Sequence, residues 1–171
     1  MKEVPLSGSE PGLDKFNTLA PFDALAELVS CCAAPDWAAE LTDGRPYPAL
    51  AELLDRADAA LAELDQAQLA LALAGHPRIG ERSAHPSSRR EQTSVTSADP
   101  EVLAALADGN RVYEQRFGHV YLVCAAGRSA EELLRVLRER LDNDQETEHA
   151  VLRRELGQIN RLRLRRMVTG E

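Results

Sequence analysis

Apolar positions recur at three- and four-residue spacing along most of this chain, the mark of helices that each bury one stripe. Pro21 opens the first clear pattern, with Phe22, Leu25, Ala26, Leu28, Val29 and Cys32 on or near one face. A shorter piece runs from about Trp37 to Leu41, ahead of a turn at Gly44-Arg45-Pro46-Tyr47-Pro48. Leu50, Leu53, Leu54, Ala57 and Leu61 mark the next helix, and Asp65 is placed to cap another that reaches about Ala74. Asp99-Pro100 joins an N-cap to a proline at the first helical position, and Leu103, Leu106, Asn110, Tyr113 and Phe117 lead from there to a stop at Gly118. Ser129 with Glu132 reads as a capping box for a helix to Leu141. The last helix starts at Asn143 or Asp144 and extends to about Met167. No internal repeat or hairpin pattern is present. The pattern predicts an all-α fold, a compact single-domain bundle of about seven or eight helices.

Three stretches fall outside this periodicity. Residues 1–13 carry Pro, Gly and Ser with little pattern and read as a flexible N-terminal arm, leaving 14–171 as the helical domain. From Gly75 to Ser97 the sequence is rich in Ser, Arg, His and Pro, and connections of that length in small domains are functional or disordered. Val120 to Ala126 is a continuous apolar run that fits either a buried extended strip or the start of a helix.

Composition narrows the function classes. A chain of 171 residues can bury a core without disulfides or a structural metal, and with only 4% aromatics and abundant Ala and Leu it suits closely packed helices. Twenty basic against 28 acidic side chains give a net charge of -8, which argues against a nucleic-acid partner. The basic residues from Arg153 to Arg166 then read as a solvated helical face. Cys31, Cys32 and Cys124 are odd in number and lack metal-ligand spacing, so they are expected to be reduced, buried small hydrophobes. No apolar run reaches membrane-spanning length and no targeting pattern is present, so no membrane partner is expected and the location by elimination is cytoplasmic.

The densest chemistry is His76-Pro77-Arg78-Ile79-Gly80-Glu81. The proline fixes a backbone angle and biases His76 toward an extended conformation. Two readings fit: an ordered turn with a solvated histidine, or an imidazole held rigidly beside fixed charges for proton exchange near neutrality. Ser88-Arg89-Arg90-Glu91-Gln92 is equally two-sided. Ser88 and Glu91 have capping-box spacing, yet beside His76 they and Gln92 supply a hydroxyl, a carboxylate and an amide suited to the polar edges of a nitrogen-rich ring. Glu91 near His76 would orient the imidazole and favour its charged form. On the last helix Leu152, Leu156, Ile159 and Met167 form the core stripe, and Arg163 lies only about 20° from Leu156 around the axis. A core-facing arginine needs a partner. That partner is an internal ion pair, a helix end along which it snorkels, or an anionic or carbonyl-bearing ligand gripped by its fork of donors. Arg161 and Arg165 point about 140° and 180° from Leu156, toward water. Competing chemistries are weaker. A metal site from His76, Glu81 and His85 would have to converge across two prolines, no thiol is marked as a nucleophile, and no Gly-rich phosphate loop is present.

Taken in order, these blocks resemble the OHCU decarboxylase family, enzymes that decarboxylate 2-oxo-4-hydroxy-4-carboxy-5-ureidoimidazoline to (S)-allantoin. The resemblance runs from about Phe16 to Met167. It rests on Phe16-Asn17, Cys31-Cys32 with Trp37, Arg45-Pro46, the His76–Glu81 block, Ser88 and Glu91-Gln92. Asn110 with Tyr113 and Phe117-Gly118, Gly127-Arg128-Ser129, Leu141 with Asn143-Asp144, and Ile159 with Leu162-Arg163-Leu164 complete it. It implies an all-helical fold and a decarboxylase that works without cofactor or metal. By the same resemblance His76 is the catalytic histidine, with Glu91 beside it. Pro77, Ser88 (or Ser87 in a shortened connection), Glu91, Gln92 and Arg163 contact the substrate, and Val123, Ala125 and Gly127 present backbone groups to it. A small ureidoimidazoline is the expected partner, and a homodimer is compatible with the family. The alternative is a non-catalytic helical module that binds a ureide or another purine-derived ring.

Overall fold

A computed structural model describes residues 11–170, and among the described residues the chain forms nine α-helices and no strand. They are α1 (Pro11–Thr18), α2 (Pro21–Cys31), α3 (Pro35–Asp43), α4 (Leu50–Glu63), α5 (Gln66–Ala74), α6 (Pro86–Glu91), α7 (Pro100–Phe117), α8 (Ala130–Arg140) and α9 (Gln145–Thr169). The all-α expectation is met. The count exceeds seven or eight because α1 and α6 are too short to show a periodic stripe. Pro11 to Leu13, expected in the arm, form the first turn of α1, while the rest of that arm lies outside the described residues.

Local chemistry explains most helix boundaries. Proline occupies the start of α2, α3, α6 and α7, where its missing N–H costs nothing. The Asp99 carboxylate accepts from Glu101 N at 2.8 Å, the Ser129 hydroxyl from Glu132 N at 3.2 Å, and Asp144 from Thr147 N at 2.7 Å. Asp65 does the same for Gln68 N at 2.8 Å, as its position predicted. Gly118 ends α7 at φ 78°, a left-handed conformation that a side chain would strain. Asp99→Ala and Ser129→Ala should each lower stability by about 1 kcal/mol and add independently in urea denaturation.

The described residues fall into two compact units. The first comprises residues up to Gln68 together with those from Asn160 onward, the second Leu69–Ile159. In the first, α2, α3 and α4 pack together around Trp37, which is fully buried and donates from Nε1 to Ala57 O at 2.9 Å. Arg45 donates to the carbonyls of Phe16 (2.8 Å) and Leu19 (2.9 Å), and Asn17 bonds both ways to the Tyr47 backbone, so two of the sequence blocks form one knot. Arg161, expected to face water, does so only in part: it is ion-paired to Asp55 and Asp58 on α4.

In the second unit α7 packs on α8, close enough that a Cβ on Gly109 would stand 2.5 Å from Leu137. Tyr113, Phe117 and Tyr121 form the aromatic part of its core. Val120 to Ala125 is neither helix nor strand, and Tyr121, Leu122, Val123 and Ala125 within it are buried. Of the two readings of this run, the buried strip is the one observed. On α9 the stripe of Leu152, Leu156 and Ile159 is buried as expected, but Val168 takes the place assigned to Met167, which is half-buried. Cys31 and Cys32 are buried free thiols, whereas Cys124 is only half-buried, unlike the expectation for all three.

Candidate active site

The His76 segment leaves the end of α5 with its backbone N donating to Leu73 O at 3.0 Å. His76 and Pro77 are half-buried, and the bond between them is trans. Beyond it the chain is tied down at three successive positions. Arg78 binds Glu114 through Nε (2.5 Å) and Nη2 (2.9 Å), and this contact holds the Glu114 carboxyl below its usual range. Ile79 O accepts from Asn110 Nδ2 at 3.0 Å. Gly80 N donates to Gln92 Oε1 at 3.0 Å, while Gln92 Nε2 returns to Arg78 O at 3.4 Å. The loop is therefore ordered by side chains of α7 and by the residue just after α6, not by its own composition.

Helix α6 turns Ser88 and Glu91 inward, with Gln92 at its C-cap, and all three are buried. Pro86 starts the helix, so Ser88 and Glu91 lie inside it and do not form a capping box. Ser88 is 2% exposed while Ser87 is half-buried, which makes Ser88 the inward hydroxyl. A cavity of about 400 Å³ runs between Glu81, Arg82 and Ser83 on one side and Ser88, Arg89 and Gln92 on the other.

The strip beyond α7 is held by three further side chains. Arg140 Nη1 donates to Leu122 O at 2.7 Å, Cys124 N donates to Glu155 Oε2 at 3.0 Å, and Ser94 Oγ donates to Arg128 O at 2.6 Å. Burial pushes the Cys124 thiol pKa up, and the carboxylates of Glu155 and Glu91 push it further. Val123 and Ala125 within the strip are buried. Gly127, at φ 77° and exposed, makes the left-handed turn that ends it. The structure accordingly ties the loop after His76 to Gln92 at the end of α6, and ties the strip, through Arg128 O, to Ser94 two residues further on.

Arg163 belongs to the other unit. It is 6% exposed, as its place on the stripe predicted, and Nη1 donates to Cys31 O at 3.1 Å. No three His, Cys, Asp or Glu side chains cluster in a metal-holding arrangement among the described residues. Asn110 and Glu114, which tie the loop, and Ser94, Arg140 and Glu155, which tie the strip, were assigned no site role from the sequence. Gln92, expected to contact substrate, is engaged at both ends of its amide by the loop backbone and also lines the cavity. Gln92→Leu should therefore speed amide exchange at Gly80 about tenfold, the worth of roughly one to two net hydrogen bonds. Unchanged protection would mean that Asn110 and Glu114 suffice to hold the loop.

Among the described residues the chain is all-helical, with the loop after His76 anchored at three successive positions beside buried Ser88 and Glu91. The chain is a member of the OHCU decarboxylase family, whose model matches residues 17–165. It is similar to the uric acid degradation bifunctional protein TTL of Arabidopsis thaliana, 24% identical over 149 residues that cover 82% of this chain and 46% of that protein. The chain thus spans about half the length of the curated relative it matches. Among solved structures, it is similar to an OHCU decarboxylase crystallised in the presence of (S)-allantoin, with TM-score 0.75 and 24% identity over 85% of this chain and 98% of that one. It also resembles an (S)-allantoin synthase, with TM-score 0.71 and 14% identity over 91% of this chain and 53% of that one. These structural likenesses show the shared fold.

Proposed function

We propose that this chain decarboxylates 2-oxo-4-hydroxy-4-carboxy-5-ureidoimidazoline to (S)-allantoin, as a carboxy-lyase of urate degradation. The observation that carries the proposal is the His76-Pro77 loop anchored at Arg78, Ile79 and Gly80 beside the buried Glu91, in a chain whose family match spans both. In this substrate the carbon that loses carbon dioxide adjoins a ring carbon of a C=N bond. The electron pair left behind flows into that imine, which serves as the electron sink. The protein's task is then orientation and proton delivery. His76 acts as the general acid/base and sets the stereochemistry by protonating one face. Glu91 orients the imidazole or accepts from the hydroxyl or ureido N–H groups, and Ser88 donates to a ring oxygen. Backbone groups of Val123, Ala125 and Gly127 line the ligand, and Pro77 packs on it. Gln92 keeps the loop in register for His76.

The test is to generate the labile substrate in situ from urate with urate oxidase and hydroxyisourate hydrolase, then follow its decay by absorbance and circular dichroism. Accelerated decay with (S)-allantoin as product is expected. Decay at the spontaneous rate to racemic allantoin, from folded protein, would overturn the proposal.

A further inference from the structure

The cavity between the end of the His76 loop and α6 carries charge that the proposed reaction does not use. Arg82 stands on its loop wall and Arg89 on its helix wall, across about 400 Å³ of open space. Among the described residues neither guanidinium is paired with a carboxylate, whereas Arg78, Arg128, Arg135 and Arg140 of the same unit all are. In a chain of net charge -8 these two uncompensated cations make the cavity a local exception to a field that repels anions.

The other groups on the walls narrow what fits. Gln92 spends both ends of its amide on the loop backbone, and the Glu81 carboxylate accepts from Arg78 Nη1 at 3.3 Å. Ser83 Oγ accepts from His85 N at 3.0 Å, which leaves its own O–H to donate. The Thr93 hydroxyl donates to Arg90 O at 2.9 Å and that of Thr96 to Thr93 O at 3.0 Å, so these residues offer the cavity their methyl groups. The open capacity is therefore mainly donors, two guanidiniums and a hydroxyl, beside a small apolar surface. Its complement is an acceptor-rich anion on an organic body, and the volume is in the range that holds a small molecule. We propose that this cavity is a second binding site, for a small organic molecule bearing a carboxylate or phosphate, with Arg82 and Arg89 gripping the oxyanion from both walls. Each guanidinium presents a planar fork of N–H groups that matches either oxyanion. Because one fork belongs to the loop and the other to α6, the bound oxyanion also bridges the two walls and offsets the repulsion between the cations. The departing carboxylate of the ureidoimidazoline does not react here. Two guanidiniums would stabilise it as an anion in the ground state and oppose its loss as carbon dioxide. The site thus stands apart from the decarboxylase reading.

The experiment follows amide NMR shifts of wild type, Arg82→Gln, Arg89→Gln and the double variant during titration with phenyl phosphate, benzoate and inorganic phosphate at fixed ionic strength. Both side chains are exposed, so the variants should keep the wild-type thermal midpoint. In wild type the shifts of residues 81–83 and 89–96 should move along one saturating curve. Each single variant should weaken binding about fivefold and the double variant at least about tenfold. Inorganic phosphate should bind more weakly than phenyl phosphate, since it leaves the threonine methyls uncovered. Phenyl phosphate binding more tightly than benzoate identifies a phosphate ligand, the reverse order a carboxylate, and either supports the site. The proposal is overturned if no probe saturates in the millimolar range, or if the double variant binds as wild type does. Shifts of equal size at Arg153, Arg154 and Arg165 on α9 would also overturn it, as the mark of nonspecific ion binding. His76→Asn should leave these affinities unchanged whether or not the chain is a decarboxylase, and a loss of affinity there would put the oxyanion in the His76 site instead.

Discussion

His76→Asn should slow decarboxylation by at least about 10²-fold while leaving the helices and the thermal midpoint essentially intact. The separation of the two effects follows from where the residue sits. His76 is half-buried, and its backbone N bonds to Leu73 O, a contact that asparagine at this position keeps. The anchors at Arg78, Ile79 and Gly80 lie beyond it and survive the substitution. Asparagine retains polarity and approximate reach but cannot exchange a proton near neutral pH. The loss should therefore fall on kcat, with KM changed little, and the residual product should lose its stereochemical excess. A variant at the wild-type rate would hand the proton to another group. A wild-type protein that binds (S)-allantoin but accelerates nothing would instead make the chain a ureide-binding module, and His76→Asn should then leave its affinity unchanged.

Helix periodicity and caps were legible in the sequence because they are local: Asp99, Ser129, Asp65 and Gly118 act within one turn of their own backbone. The contacts that assemble the candidate site are not local. Gln92 reaches a loop 12 residues away, Asn110 reaches Ile79 across 31, and no spacing rule encodes either. The residue type of Gln92 shows that it can hydrogen-bond in both directions, but not that the loop backbone is among its partners. Other features were within reach of reasoning already in use. The wheel count that marked Arg163 as core-facing also applies to α8, where Arg140 follows Leu133 and Leu137 at helical spacing and is buried. Applied around Leu152 on α9, it places Glu148 four residues before and Glu155 three after, both on the buried face. Charged residues on a core stripe are thus a recurrent device of this chain.

Arg140 and Glu148 carry the largest expected effect on stability. Their side chains are 6% and 0% exposed, and Arg140 meets Glu148 Oε1 through Nη2 at 2.5 Å and Nε at 2.8 Å. The other carboxylate oxygen accepts from Asn143 Nδ2 at 2.8 Å, and the Tyr113 hydroxyl donates to Glu148 Oε1. Burial and that contact push the Tyr113 pKa well up, so the hydroxyl stays a donor. Arg140→Met should cost about 3–5 kcal/mol in urea denaturation, because it strands a carboxylate that water cannot reach. Adding Glu148→Leu should recover much of that loss, since an apolar pair of similar volume removes the stranded charge. Function separates the two roles of the arginine. The double variant regains stability but still lacks the donor to Leu122 O, so the strip from Tyr121 to Arg128 loses that tie while those from Glu155 and Ser94 remain. Its activity should stay below wild type even where it is fully folded. Full activity in the double variant would show that Glu155 and Ser94 hold the strip without Arg140.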